Sequence, residues 1–430
     1  MKKVVVAIIL CIWSVLGVAQ TARVLDKLTQ QGIPGVLIFS KSSDQVIHTD
    51  AKGQFDPSVF KSTDSIHVQM IGYVPLIYSY AQLEEMKFKI ELTENPISLT
   101  EVIISSYRTQ ENKLEVPNRI EKVNMNEAAF QNPQTAADLL GTSGYAFIQK
   151  SQLGGGSPMI RGMATNRVLL VVDGVRMNNA IFRSGNLQNV ISLDANALES
   201  TEILFGPGSV MYGSDAIGGV MNFNTIGPKF SDNASKPFVL GNALMRTSTA
   251  NSEVTGHLDL TIGLKKWSFV TSFTKSKYGD LRSGSVGGVS YFYRQYYVET
   301  IADKDYMVPN ADSALQVGSK YDQTNFMQKI CFKPNASWEF HYGFHFSETS
   351  SYNRYDRLYV MQTAGPYKNK LRWAEWYYGP QKWNMHRMGI THSKPTIAYN
   401  QMHLIVALQN FEESRYDREF MVRELRMQKE

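Results

Sequence analysis

Side chains able to bind metals, attack carbonyls or shuttle protons are few in this sequence, and they are widely spaced. There are two cysteines, Cys11 and Cys331. Cys11 lies in an apolar N-terminal run, which leaves Cys331 alone; one thiol supports neither a disulfide framework nor a CxxC metal site. Cys331 reads as a small residue in a strand. Beyond the first hundred residues the histidines are His257, His341, His345, His386, His392 and His403. His341 and His345 fall on one face of an alternating stretch, and two imidazoles facing a lumen could ligate haem iron or another metal complex. Residues four apart along a strand lie about 13 Å apart, too far to share an ion, so polar lining is the stronger reading. Gly154-Gly155-Gly156 is not followed by a Lys-Ser/Thr pair, so it is no phosphate-binding loop. No nucleophile elbow and no metal-ligand cluster is visible. The expectation is a protein without catalytic residues, and not an enzyme.

The stretch Gly154–Thr225 must position whatever function remains. Two β-rich runs, Val168–Val172 and Thr201–Phe205, are each followed by a glycine-centred turn, Asp173-Gly174 and Gly206-Pro207-Gly208. A last short strand, Val220–Asn224, follows Gly213, Gly218 and Gly219. Glycine is used where φ is positive or where another backbone comes close, so this is a turn-rich α+β module. Its pieces Ile160-Arg161-Gly162, Arg167–Val175 and Gly206–Val220, in that order, resemble the plug domain of TonB-dependent outer-membrane receptors. The resemblance extends to a short helix at Ala136–Leu140 after Thr135, with Gly141 as its stop, and a Leu139-Leu140 pair. Val123-Asn124-Met125 reads as a strand.

The resemblance also implies roles. Arg161 and Glu202 match family positions that meet charges on the barrel wall, which makes them plug or gating residues; an unpaired buried charge is costly. The polar run 178–189 matches a loop that reaches the outside. Asn178, Asn179, Arg183, Asn186 and Gln188 there are candidates for ligand contact, or equally for satisfying backbone groups in the lumen.

Lys2-Lys3, the apolar run Val4–Leu16 and the small residues Gly17-Val18-Ala19 read as a signal peptide over 1–19. Residues 20–98 show short apolar runs split by polar turns, as in a small β-sandwich. The segment Thr49–Phe55, with Ile71-Gly72-Tyr73, resembles the carboxypeptidase-regulatory-like domain found ahead of some plugs. His48 and His67 are isolated and read as exposed. Residues 99–105 (LTEVIIS) resemble a TonB box, with Glu101, Val102, Ile103 and Ile104 as the TonB-contacting residues. A short β-branched run between domains can add as a strand to a partner's sheet edge; it can also be the last strand of the sandwich. The plug is expected over 106–235.

From 236 to 430 the texture changes to period two. Val254, Leu258, Leu260 and Ile262 alternate with Glu253, Thr255, His257 and Asp259. Similar alternation marks Lys266–Thr274 and Trp338–Ser347, and a final pair spans roughly Trp383–His392 and Ala398–Phe411. Short turns at one end and long polar segments near 280–320 and 350–380 at the other are the pattern of an outer-membrane β-barrel. Tyr291, Phe292, Tyr293, Tyr296 and Tyr297 are candidates for an interfacial girdle or an external ligand surface. About six strands are legible where a family barrel uses about 22, so the fold expected is mainly β: a small sandwich, an α+β plug and an incomplete antiparallel transmembrane barrel, from a fragment or an interrupted reading frame.

Hydrophobic residues make up 43% and charged residues 19%, with a net charge of +5. Lys and Arg are scattered without a basic stripe, which excludes nucleic acid as a partner. The family resemblance implies an importer in the Gram-negative outer membrane. Its partners would be TonB with its inner-membrane energising complex, outer-membrane lipid, a scarce bulky solute and a surface lipoprotein. The runs 155–162 and 182–186 look most like haem receptors. No cofactor is expected to stay bound; haem or an iron complex would be the transported ligand. Competing readings are a surface adhesion protein on the same scaffold, and an oligosaccharide or peptide importer.

Overall fold

The computed structural model describes residues 21–40, 45–61, 65–94, 102–103, 111–112, 118–150, 154–164, 167–177, 190–233, 235–284, 286 and 294–429. The leader expected over 1–19 lies outside them. The chain divides into two compact units, Met1–Glu101 and Val102–Glu430. Among the described residues no helix is long and apolar enough to cross a membrane.

The first unit holds strands β1 (Ala22–Asp26), β2 (Leu37–Phe39), β3 (Val46–His48), β4 (Gln54–Phe55), β5 (Ile66–Gln69), β6 (Leu76–Tyr78) and β7 (Lys89–Leu92). They form two sheets, β4-β1-β7 and β3-β2-β5-β6. Val24, Ile38, Phe60, Val68, Leu83 and Ile90 pack into one core. A helix not expected from sequence, Tyr80–Glu85, supplies Leu83; a Ser79/Gln82 capping box starts it. The turn signature at 50–55 has a physical cause. Asp50 Oδ1 accepts from the backbone N–H groups of Lys52 and Gln54 at 2.8 and 2.7 Å. Gly53 has φ +75°, and a Cβ there would sit 2.5 Å from the Val24 carbonyl oxygen. His48 is exposed as expected, whereas His67 is half-buried and stacks on Phe39.

The second unit begins with β8 (Val102–Ile103), paired antiparallel with β9 (Glu111–Asn112). Next come β10 (Ile120–Val123), β11 (Phe147–Gln149), β12 (Ser157–Met159), β13 (Val168–Val172), β14 (Val175–Arg176), β15 (Leu198–Phe205) and β16 (Gly219–Thr225). The central plug sheet runs β10-β15-β16-β13-β14. Every residue of β13 is buried, as a strand covered on both faces requires. Two sequence expectations shift here. The strand near 123 ends at Val123, and Met125 opens a helix to Phe130. The helix after Thr135 runs through Gly141 to Thr142. Gly141 serves packing, since a Cβ would meet Ile148 at 3.3 Å, while the left-handed position is Gly144, φ +73°.

The wall that follows is one antiparallel meander of β17 (Phe238–Ser248), β18 (Glu253–Gly263), β19 (Trp267–Tyr278), β24 (Tyr321–Phe332), β25 (Trp338–Thr349), β28 (Lys382–His392) and β29 (Met402–Glu412). The intervening long segments are themselves β: β20 (Leu281–Arg282) pairs β23 (Leu315–Gln316), and β21 (Tyr296–Ile301) pairs β22 (Lys304–Pro309). Strands β26 (Tyr352–Asn353), β27 (Trp373–Tyr378), β30 (Ser414–Glu419) and β31 (Arg426–Lys429) form a separate four-stranded sheet.

The wall is inverted relative to a soluble sheet. Along β18 the polar residues Glu253, Thr255, His257, Asp259 and Thr261 are buried, while Val254 and Leu258 are 48% and 58% exposed. Apolar side chains that face outward over 11 residues match a strand whose outer solvent is hydrocarbon. An aromatic row caps that outer face at the short-turn end: Trp267 stacks on Phe332 at 4.3 Å, and Phe332 and Trp338 flank Phe340 at 6.3 and 6.0 Å. The aromatics named from the sequence as a girdle or an external ligand surface lie elsewhere. Tyr296 and Tyr297 sit instead in the β21–β22 hairpin, and 291–293 lie outside the described residues.

Leu258 stands at the middle of β18 and points outward. Leu258→Arg is expected to lower the stability of the lipid-reconstituted chain by about 2–4 kcal/mol, read from urea titration. An unchanged midpoint would show that this face does not meet hydrocarbon.

Candidate functional site

The buried polar face of the wall needs partners, because an unsatisfied buried polar group costs about 1–3 kcal/mol. The plug supplies them along a continuous seam. Arg246 donates to the Pro133 carbonyl at 3.1 Å, Gln134 to Glu253 at 3.2 Å, and Tyr278 to the Gln134 carbonyl at 3.2 Å. Thr274 donates to Asp194 and also meets His257 Nδ1, whose Nε2 lies 3.1 Å from Asp259. Gln323 donates to the Ile191 carbonyl at 2.6 Å, and Gln409 to the Arg176 carbonyl at 2.8 Å. Apolar contact accompanies the seam where Trp383 and Met385 join the plug core with Leu170, Val172 and Phe223.

The centre of the seam is Asp173. The five-residue buried strand β13 ends there, and the chain reverses into β14 through Asp173 (φ +47°) and Gly174 (φ +81°). Two successive left-handed residues are the geometry of a type I′ hairpin turn, which favours Asp-Gly. The turn delivers the carboxylate to the wall. Asp173 Oδ2 lies 3.0 Å from Lys329 Nζ on β24 and 3.2 Å from His345 Nε2 on β25. Thr225 holds the carboxylate from the plug side, its backbone N–H donating to Oδ1 at 2.9 Å and its hydroxyl to Oδ2 at 2.7 Å. Arg387 on β28 donates to the Asp173 carbonyl at 2.7 Å, and Lys329 also donates to the Thr225 carbonyl at 3.2 Å. Burial alone would raise the Asp173 pKa. The Lys329 ammonium, followed by the His345 hydrogen bond, outweighs it and holds the carboxyl far below its ordinary 3.8. One plug turn is thus tied to three wall strands.

The sequence-derived candidates fall as follows. His341 and His345 both lie on the inner face of β25. His345 joins Asp173, while His341 Nε2 stands 3.2 Å from Glu339 Oε1. Glu202 is buried in the middle of β15, between Lys122 and Asn222 in strand register. Arg161, at φ +49°, places its guanidinium 5.1 Å from the Phe205 ring centroid. Among the described residues the ion pairs joining plug to wall converge on Asp173. Val102 and Ile103 form β8; Glu101 and Ile104 lie outside the described residues, as do Asn178, Asn179, Arg183, Asn186 and Gln188. Asp173, Lys329 and Arg387 were missed as functional residues. The one available signal was the Asp-Gly pair closing a wholly apolar strand.

Residues 112–220 match the TonB-dependent receptor plug domain family. That stretch of the second unit is therefore a plug domain of the TonB-dependent receptor type. It is similar to the vitamin B12 transporter BtuB of Vibrio vulnificus strain CMCP6, 40% identical over 89 residues, or 20% of this chain and 14% of that protein. It is also similar to the hemin receptor of Yersinia pestis, 29% identical over 126 residues, or 29% of this chain and 18% of that receptor. The matched stretches thus span less than a fifth of either relative. The copper transporter OprC shares the fold, with a TM-score of 0.51 at 13% identity, over 69% of this chain and 38% of that one.

Removing the carboxylate leaves Lys329 and His345 facing an uncharged turn. Asp173→Asn is expected to cost the chain about 3–5 kcal/mol, the range for breaking a buried pair. A depressed carboxyl pKa contributes stability that is present above the unfolded value and is lost as pH falls below it. Acidification below about pH 4 should therefore loosen the wild-type plug and leave the Asn variant's midpoint nearly flat. Urea unfolding followed at a plug probe, from pH 6 to pH 3, reads both effects. Parallel pH profiles would remove Asp173 from the lock.

Proposed function

We propose that this receptor is the plug and part of the wall of an energised importer in the Gram-negative outer membrane, carrying a scarce bulky solute, most plausibly haem or an iron complex. The observation that carries the reading is a plug held in a polar-lined, apolar-coated wall by a small number of charge-assisted bonds. Such bonds are strong while dry and aligned, and they fail together once water enters. The similarity over 89 and 126 residues to a vitamin B12 transporter and a hemin receptor supports transport rather than catalysis.

In this mechanism the segment around Val102–Ile103 is the handle. Its two-residue pairing with Glu111–Asn112 is too short to be stable alone, so it can be exchanged for a strand of TonB by edge addition. TonB, driven by the inner-membrane proton gradient, then pulls on the plug. Force reaching β13 loads the Asp173 turn, whose release frees the plug from β24, β25 and β28 at once. Solute would pass along the polar inner face so exposed. In this reading Glu202 acts within the plug sheet and Arg161 against it, over Phe205 of β15, keeping it rigid enough to transmit the pull.

The test is uptake in cells that express the receptor under iron limitation. A Val102→Pro, Ile103→Pro double variant removes two backbone donors and should abolish energy-dependent haem accumulation while cell-surface haem binding persists. Uptake that survives the double proline would overturn the handle. Surface binding with no uptake in the wild type would favour an adhesion role on the same scaffold. Uptake of vitamin B12 but not haem would reassign the cargo.

A further inference from the structure

A second cluster lies on the lumenal face, apart from the Asp173 lock. Cys331 on β24 and His341 on β25 are direct cross-strand partners. Glu339 is two residues before His341, hence on the same face. Cys331 Sγ donates to Glu339 Oε1 at 3.2 Å, and His341 Nε2 lies 3.2 Å from that same oxygen. All three ligand atoms fall within 4.8 Å of one another. Donor atoms on one tetrahedral ion with bonds of 2.0–2.3 Å sit roughly 3.5 Å apart, so the three need only small adjustments to meet at a common centre.

The surroundings suit an ion as well. Cys331 and His341 line a cavity of about 300 Å³. The residue opposite His341 on β28 is Gly389, which puts no side chain beside the imidazole. One coordination position is therefore free on the cavity side. Cys331 is 1% exposed, so its thiol is shielded from bulk oxidants. Lys333 Nζ lies 3.8 Å from Glu339 Oε2 and does not occupy the oxygen that faces Cys331 and His341.

We propose that Cys331, Glu339 and His341 form a binding site for Zn²⁺ on the inner wall, with three protein ligands and a fourth position open to the cavity. Thiolate, imidazole and carboxylate together select a borderline-soft divalent ion over Mg²⁺ or Ca²⁺, which prefer all-oxygen shells. On binding, the Sγ–H bond breaks, an Sγ–metal bond forms, and one proton leaves to solvent. The open position takes water, or a donor atom of a solute inside the wall.

The metal-free 430-residue chain in detergent is titrated with Co²⁺, a spectroscopic stand-in. The expected result is one ion per chain, with the visible absorption of tetrahedral cobalt and a thiolate-to-cobalt charge-transfer band, both removed by Zn²⁺. Cys331→Ser should lose the charge-transfer band. Glu339→Gln and His341→Ala should each weaken binding by more than the roughly 10–100-fold typical of supporting residues. His386→Ala, on the outer face of β28, should change nothing. Far-UV circular dichroism establishes that each variant is folded. A wild-type chain without the charge-transfer band, or a Cys331→Ser chain that keeps it, overturns the proposal.

Discussion

A sheet with its apolar side outward and its polar side inward cannot bury itself, and this inversion governs the second unit. The inner faces of β18, β19, β24 and β25 present Glu253, His257, Ser272, Gln323, Asn325 and His345, all nearly inaccessible to solvent. In a soluble sandwich these residues would be the water-facing side. Here the plug covers them, and it does so with backbone carbonyls at least as often as with side chains. The carbonyls of Pro133, Gln134, Asp173, Arg176, Ile191 and Thr225 all accept from the wall. A turn-rich domain with short strands is suited to this task, because turns leave carbonyls that no sheet ladder consumes.

The same need explains how the plug can be firmly seated and yet, in the proposed mechanism, be released. Hydrophobic contact between plug and wall falls in three patches: Trp383 and Met385 with the plug core, Ile191 with Tyr278 and Tyr321, and Ala197 with Val270 and Met327. Elsewhere the interface is made of hydrogen bonds that water can replace one for one, so their net contribution is modest, about 0.5–1.5 kcal/mol each. Asp173 differs because it is charged and little exposed. It sits where β13 leaves the plug core, so strain on the central sheet arrives at the carboxylate with little intervening slack. A single turn with contacts to three strands concentrates what would otherwise be a diffuse adhesion.

The legibility of this architecture in the sequence follows the same physics. β18 was readable because lipid on one side and the plug on the other impose opposite demands at every second residue. β17 was not, since Phe238–Ser248 is largely exposed on both faces and its residues show no strict period. β24 escaped for another reason: Asp322 and Thr324 on the outer face, close to Gln323 and Asn325 on the inner, erase the contrast near the long-loop end. The plug was legible through its glycines and turns, which are local chemistry. The lock was not, because Asp173 meets Lys329, His345 and Arg387 only after at least 150 residues of intervening chain have folded, and nothing in their local spacing announces the meeting. The Cys331, Glu339 and His341 grouping is hidden likewise, since cross-strand register rather than sequence motif brings thiol and imidazole together.

The two lumenal clusters are neighbours on the inner wall. Lys329 and Cys331 are two residues apart on β24, His341 and His345 four apart on β25, and all four line the same cavity. Gly343 stands between the two histidines and opposite Lys329. With no side chain there, the Lys329 stem can lie across the strand toward Asp173, and the cavity remains open beneath it. A Cβ at 343 would stand 3.9 Å from Lys329 Cγ, an ordinary van der Waals contact, so alanine fits there and only a longer side chain would reach into the cavity. The small residue thus keeps the plug's anchor and the open space beside it compatible on one pair of strands.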